Sequence, residues 1–119
     1  MTELGFISLL PAGLASNSIL FATSYNDHSL NVLSLNGSSL SVLSRSYECG
    51  SEPTWLTVNY EKSALYCLNE GWAGNASITS YQVDEAGRNV KAIQVLPTLK
   101  SPIASTLFGP QDEDLAIAY

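Results

Sequence analysis

Short runs of β-branched, aromatic and other apolar residues, interleaved with Ser, Thr and Asn and broken by Gly-, Asn- and Asp-containing corners, predict strands along most of the chain. Nine strand-like segments follow: 19–25, 29–35, 40–47, 54–59, 64–69, 76–83, 90–96, 103–108 and 114–119. The first three form a meander, joined at Asn26-Asp27-His28 and at Asn36-Gly37-Ser38. The second corner is the stronger hairpin signal, because Asn-Gly accepts the positive φ that a primed turn requires. Segments 54–96 supply four more strands, with turns at 60–63, 71–75 and 84–89, and a last pair is separated by Gly109-Pro110-Gln111-Asp112. No stretch has a 3.6-residue apolar period of helical length, and the reading allows only a short turn between residues 4 and 15.

A strand of similar character returns along the chain, as ILFATSY from Ile19, ALYCLNE from Ala64 and DLAIAY from Asp114. The period, roughly 45 to 50 residues, is that of β-propeller blades. WLTV (55–58) and IASTLF (103–108) are uniformly apolar or small, whereas SITSYQV (77–83) and SLNVLSL (29–35) alternate. Inner strands sandwiched between neighbouring blades read as continuous apolar runs, and outer strands with one wet face alternate. The expected fold is therefore all-β, with antiparallel four-stranded blades amounting to about two blades of a larger propeller. Residues 1–18 are expected to be mostly irregular. Residues 19–119 are expected to hold three strands of a first blade, a complete blade over 54–96 and the start of a third over 103–119. Since a blade buries its faces only against other blades, the open strand edges predict self-association.

Composition narrows the functional classes. The 119 residues are 45% apolar and 13% charged, which argues for a folded core and against disorder. Eleven acidic against five basic residues give a formal charge of −6, which argues against a nucleic-acid partner, since phosphates are held chiefly by Lys and Arg. No apolar run reaches the length of a membrane helix, so no membrane partner is expected, and Pro11 and Gly13 interrupt the most apolar stretch near the start. Glu3 stands where a signal peptide would carry cations, which favours a cytoplasmic location, or an extracellular one if the amino terminus is incomplete. Against the cytoplasm stand two glycosylation sequons in expected turns, Asn36-Gly37-Ser38 and Asn75-Ala76-Ser77. Cys49 and Cys67 admit either a disulfide in an oxidising compartment or two buried thiols in a reducing one. A bridge between them would add roughly 3 kcal/mol in the chain-entropy view.

Three motifs in order carry a family resemblance: Pro53-Thr54-Trp55-Leu56, then Leu65-Tyr66-Cys67-Leu68-Asn69-Glu70-Gly71, then Ser77-Ile78-Thr79-Ser80-Tyr81-Gln82-Val83. The pattern resembles the seven-bladed propeller lactonases, which include bacterial 6-phosphogluconolactonases and fungal carboxy-muconate cyclases, with the fungal branch the nearer in character. The resemblance covers about residues 19–119. It implies a seven-bladed ring several times longer than this chain, and hydrolysis or isomerisation of a sugar or muconate-type lactone when the ring is complete. A small-molecule lactone is then the expected partner, with no cofactor, and the short chain alone is expected to be inactive. The competing class is a non-catalytic propeller fragment that binds a protein or a glycan through its loops.

Lactone hydrolysis needs a group that activates water and another that steadies the oxyanion. Glu70, at a strand end beside Gly71, is the candidate acid/base. Its structural alternative is that Asn69 and Glu70 satisfy backbone donors at the corner. Asn69, Trp72 and His28 are candidate substrate-binding residues: Trp72 lies in a loop between Gly71 and Ala73, and His28 beside Asp27 in a turn, where a lone histidine is more often solvated. Trp55 is expected between blades. A phosphosugar would require Arg or Lys near Glu70, yet none lies between Lys62 and Arg88. No serine sits in a nucleophile-elbow motif, and two separated cysteines with one histidine do not make a familiar metal site. Asp112-Glu113-Asp114 is read as a solvated turn.

Overall fold

The computed structural model describes residues 4–9 and 17–119. Among the described residues, ten antiparallel strands form three sheets laid side by side in chain order. The first sheet is β1 (Leu4–Leu9), β2 (Asn17–Ser24), β3 (Ser29–Asn36) and β4 (Ser39–Ser46), the second β5 (Pro53–Asn59), β6 (Ala64–Asn69), β7 (Ser77–Val83) and β8 (Val90–Pro97). The third is the hairpin β9 (Ala104–Phe108) and β10 (Asp114–Ala118). Each sheet begins with its innermost strand, and β5 packs against β1 on one side and β9 on the other. This radial stacking of four-stranded meanders is the blade arrangement expected from the repeat. The three recurring segments occupy equivalent places, as β2, β6 and β10, each second in its sheet.

The first blade holds one strand more than the sequence reading gave it. Residues 1–18 were expected to be mostly irregular and the blade three-stranded, yet β1 pairs with β2 from Leu4↔Ser24 to Leu9↔Leu20, with one irregularity between Leu4 and Ile7. Strand pairing satisfies backbone groups that β2 would otherwise leave open at its inner edge. Pro11 and Gly13, which made the segment look interrupted, come after the strand ends and lie outside the described residues. The short turn allowed between residues 4 and 15 falls partly there as well.

The main core is the seam between the first two blades. Ile19 and Phe21 of β2 and Leu30 and Val32 of β3 pack against Leu56, Leu65, Cys67, Tyr81 and Val83 of the second blade. The alternation in β3 suggested one wet face, but Ser29 to Leu33 are all buried. The polar side of the alternation is buried with partners: Asn31 Nδ2 donates to Ser29 Oγ (3.0 Å) and its Oδ1 accepts from Arg45 Nε (3.0 Å). Outer strands β4 and β8 are largely exposed. Trp55 sits between the second blade and the third hairpin, where its Nε1 donates to the Ser105 carbonyl (3.0 Å).

A disulfide braces the seam, and a tight turn closes the outer hairpin of the first blade. Cys49 and Cys67, both fully buried, are joined by a disulfide with Cα atoms 5.9 Å apart, tying the connection before β5 to the middle of β6. The β3–β4 turn is also tighter than the sequence suggested: Asn36 pairs with Ser39, leaving Gly37-Ser38 as the loop, with φ of 60° at Gly37. Glycine at the first central position is the requirement of a II′ hairpin.

Candidate functional site

Antiparallel registers bring the turn 25–28, the connection 47–52, the loop 70–76 and the connection 98–103 to one face of the blades. The scaffold of this face is Asn69, buried at the end of β6. Its Oδ1 accepts from the backbone N–H of Glu52 (3.0 Å) and of Gly71 (3.2 Å), and its Nδ2 donates to the Asn75 carbonyl (3.1 Å) and Ser77 Oγ (3.3 Å). Gly50 lies directly over that amide: a Cβ there would come 2.3 Å from Asn69 Nδ2. Gly71 has φ of 63°, and a Cβ would meet the Ala76 backbone nitrogen at 2.1 Å. The corner closes only around glycine at these two places.

On this scaffold Glu70 is held at both its backbone and its side chain. Its N–H donates to the Glu52 carbonyl (3.0 Å) and its carbonyl accepts from the Ser101 N–H (3.2 Å). Oε1 accepts from Tyr25 Oη (2.9 Å) and Thr54 Oγ1 (3.0 Å), while Oε2 accepts from Trp72 Nε1. Tyr25 Oη and Thr54 Oγ1 also lie 2.7 Å apart, so two hydroxyl hydrogens serve a triangle of three contacts. Partial burial by itself would raise the Glu70 pKa, but the hydrogen bonds from Trp72, Tyr25 and Thr54 together outweigh it and hold the carboxyl below its ordinary value of 4.5. Glu70 is therefore an anion at neutral pH, able to accept a proton or orient a donor but not to donate one.

Trp72 is fixed although 67% of it is exposed. Its backbone N–H donates to Glu52 Oε1 (2.7 Å), its indole N–H to Glu70, and its ring meets the Tyr25 ring edge-on with centroids 5.6 Å apart. An immobilised indole with an open surface is a ready stacking platform. His28 stands on the same face at φ 54°, exposed, with Nδ1 donating to the Ser51 carbonyl (2.5 Å). A hollow of about 420 Å³ opens there between His28, Tyr47, Gly50 and Ser51.

The fold thus brings Asn69, Glu70 and Trp72 into one cluster, and places His28 beside it through the 47–52 connection. The Asn69 side chain is spent on the corner, whereas Glu70 bonds side chains from two other segments, Tyr25 and Thr54, and Trp72 from its own loop. Sequence reasoning missed Tyr25, Thr54 and Glu52. A signal for Tyr25 was present: it ends ILFATSY where Glu70 ends ALYCLNE, so the two share a position of the repeat. Among the cations, Lys62 and Arg88 lie in turns of the opposite face, while Lys100 is exposed in the connection whose Ser101 bonds Glu70.

Comparison with known families gives one match, to the family described as Lactonase, 7-bladed beta-propeller, over residues 19–119. No curated protein and no solved structure matches the chain.

Proposed function

Because the chain belongs to the seven-bladed β-propeller lactonase family, we propose that the face carrying Glu70 forms part of the mouth at which a lactone is opened. The observation that carries this reading is a carboxylate kept ionised by Tyr25, Thr54 and Trp72 at the meeting of two blades. Glu70 takes a proton from water as that water adds to the lactone carbonyl. The ring C–O bond then breaks, and the proton passes to the departing alkoxide, so that lactone and water yield a hydroxy acid. Trp72 offers a flat face to an apolar ring surface of the substrate. A sugar lactone and a muconate-type lactone both fit this chemistry, and isomerisation of the latter requires the same proton acceptor. The absence of Arg or Lys in the bonded cluster favours an unphosphorylated substrate.

The alternative is a binding module, favoured by one observation: Trp72 is locked in place yet mostly exposed, the property of a glycan-stacking surface. Hydrolysis of δ-lactones with and without a phosphate, by these blades within a complete seven-bladed ring and by the same ring carrying Glu70→Gln, separates the two. The lactonase reading expects turnover above buffer that falls at least tenfold in Glu70→Gln, in line with the typical contribution of a general base. A folded wild-type protein no faster than buffer, binding glycans in a way that Trp72→Ala abolishes, overturns it in favour of the alternative.

A further inference from the structure

We propose that Asn36 is an N-glycosylation site, occupied in an oxidising secretory compartment, and that the second sequon at Asn75 is left bare. Three observations lead there, none of which depends on the chemistry proposed for Glu70.

The first is the contrast between the two triplets. Oligosaccharide transfer needs the asparagine amide and the hydroxyl two residues later to be offered together. At the β3–β4 hairpin tip Asn36, Gly37 and Ser38 are all exposed, and nothing lies within 4 Å of where a Gly37 Cβ would be. At the other triplet Asn75 is exposed, but Ala76 is 6% and Ser77 9% accessible, and the Ser77 hydroxyl accepts a hydrogen bond from Asn69 Nδ2. Ser77 is also the first residue of β7, paired with Asn69 and Pro97. Offering that hydroxyl would dismantle the corner that positions Glu70.

The second is the buried Cys49–Cys67 disulfide, since such bonds persist in compartments that also carry glycosylation and are rare in a reducing cytosol. The third is the surroundings of Asn36. Leu40 (58% exposed) and Val42 (48% exposed) line the adjacent stretch of the outermost strand, an apolar edge that a glycan anchored at the hairpin would cover. The hairpin lies at the rim, at the opposite end of its strands from Glu70, so a glycan there obstructs neither blade stacking nor the proposed mouth.

The donor is a lipid-pyrophosphate-linked oligosaccharide. A bond forms between Asn36 Nδ2 and the anomeric carbon of the first sugar, the sugar–phosphate bond breaks, the amide loses a proton and the lipid pyrophosphate departs. The site is tested on the full-length protein isolated from its own cells, deglycosylated with peptide N-glycosidase in heavy-oxygen water and read by mass spectrometry. Heavy-oxygen aspartate at position 36 with unmodified Asn75 supports the proposal. An unmodified Asn36, or a label at Asn75 alone, overturns it. In a eukaryotic secretory host, Ser38→Ala should abolish the glycosidase-sensitive mobility shift and Ser38→Thr should retain it, both without altering the Asn36 side chain. A shift that survives Ser38→Ala overturns the assignment equally.

Discussion

Tyr25 and Glu70, which directly follow the second strand of successive blades at the same position of the repeat, are hydrogen-bonded to each other at 2.9 Å. Equivalent positions thus differ in chemistry, phenol in one blade and carboxylate in the next, and the difference makes a bond across the seam. Tyr25→Phe should remove one donor to a charged acceptor and cost about 1.5 kcal/mol. Combined with Glu70→Gln in urea-denaturation experiments, it should give a coupling energy of at least roughly 0.5 kcal/mol, and strictly additive losses would deny the bond.

Glu70 also imposes a pH signature on stability. Its folded pKa is lowered, so its contribution is fully present above the ordinary carboxylate value and is lost as pH falls through the folded value. Glu70→Gln should therefore flatten the acid limb of a melting-temperature profile below about pH 4.5 while leaving the alkaline limb alone.

The alkaline limb belongs to Tyr81. Burial in the seam is the main cause that raises its pKa to about 12; Ser46 opposes the shift through a hydrogen bond, and the nearby Glu48 charge adds to it. A raised folded value means the stabilisation is complete below about pH 10 and is lost as pH climbs through about 12, a loss of roughly 2 to 3 kcal/mol. Tyr81→Phe should remove that slope, as read by urea midpoints between pH 9 and about 12.

The disulfide should contribute on the scale expected for cysteines 18 residues apart. Replacing Cys49 and Cys67 together, or reducing the bond, should lower unfolding free energy by about 3 kcal/mol in denaturant titrations.

Gly71→Ala places a Cβ against backbone at a positive φ, and should cost at least about 2 kcal/mol. Gly74→Ala in the same loop also has positive φ, at 97°, but meets nothing within 4 Å, and should cost less. Equal thermal shifts would mean that backbone strain alone, and not the contact with Ala76, fixes the corner.

The strand pattern was legible because outer and inner strands differ in burial, and the corners at 60–63, 71–75 and 84–89 carry turn residues. β1 escaped because a six-residue innermost strand shows no periodicity of its own and is specified by the open edge of β2. In the site, Asn69, Glu70 and Trp72 were visible because they adjoin one another in the chain. Thr54 and Tyr25 were not: Thr54 reaches Glu70 from 16 residues away through the β5–β6 register, and Tyr25 from 45 residues away through blade stacking that composition does not encode. The repeat held the clue to Tyr25, but only when the ends of ILFATSY and ALYCLNE are superposed.

Whether Glu70 works as an ionised base at a lactone-opening mouth is read from kcat/KM for δ-lactone hydrolysis as a function of pH, measured on a complete seven-bladed ring that contains these blades. The wild-type profile should show an acid limb centred below the ordinary glutamate value, and Glu70→Gln should lower the rate at least tenfold at neutral pH. An acid limb centred at or above the ordinary glutamate value, or a rate indifferent to Glu70→Gln in a folded protein, would contradict it.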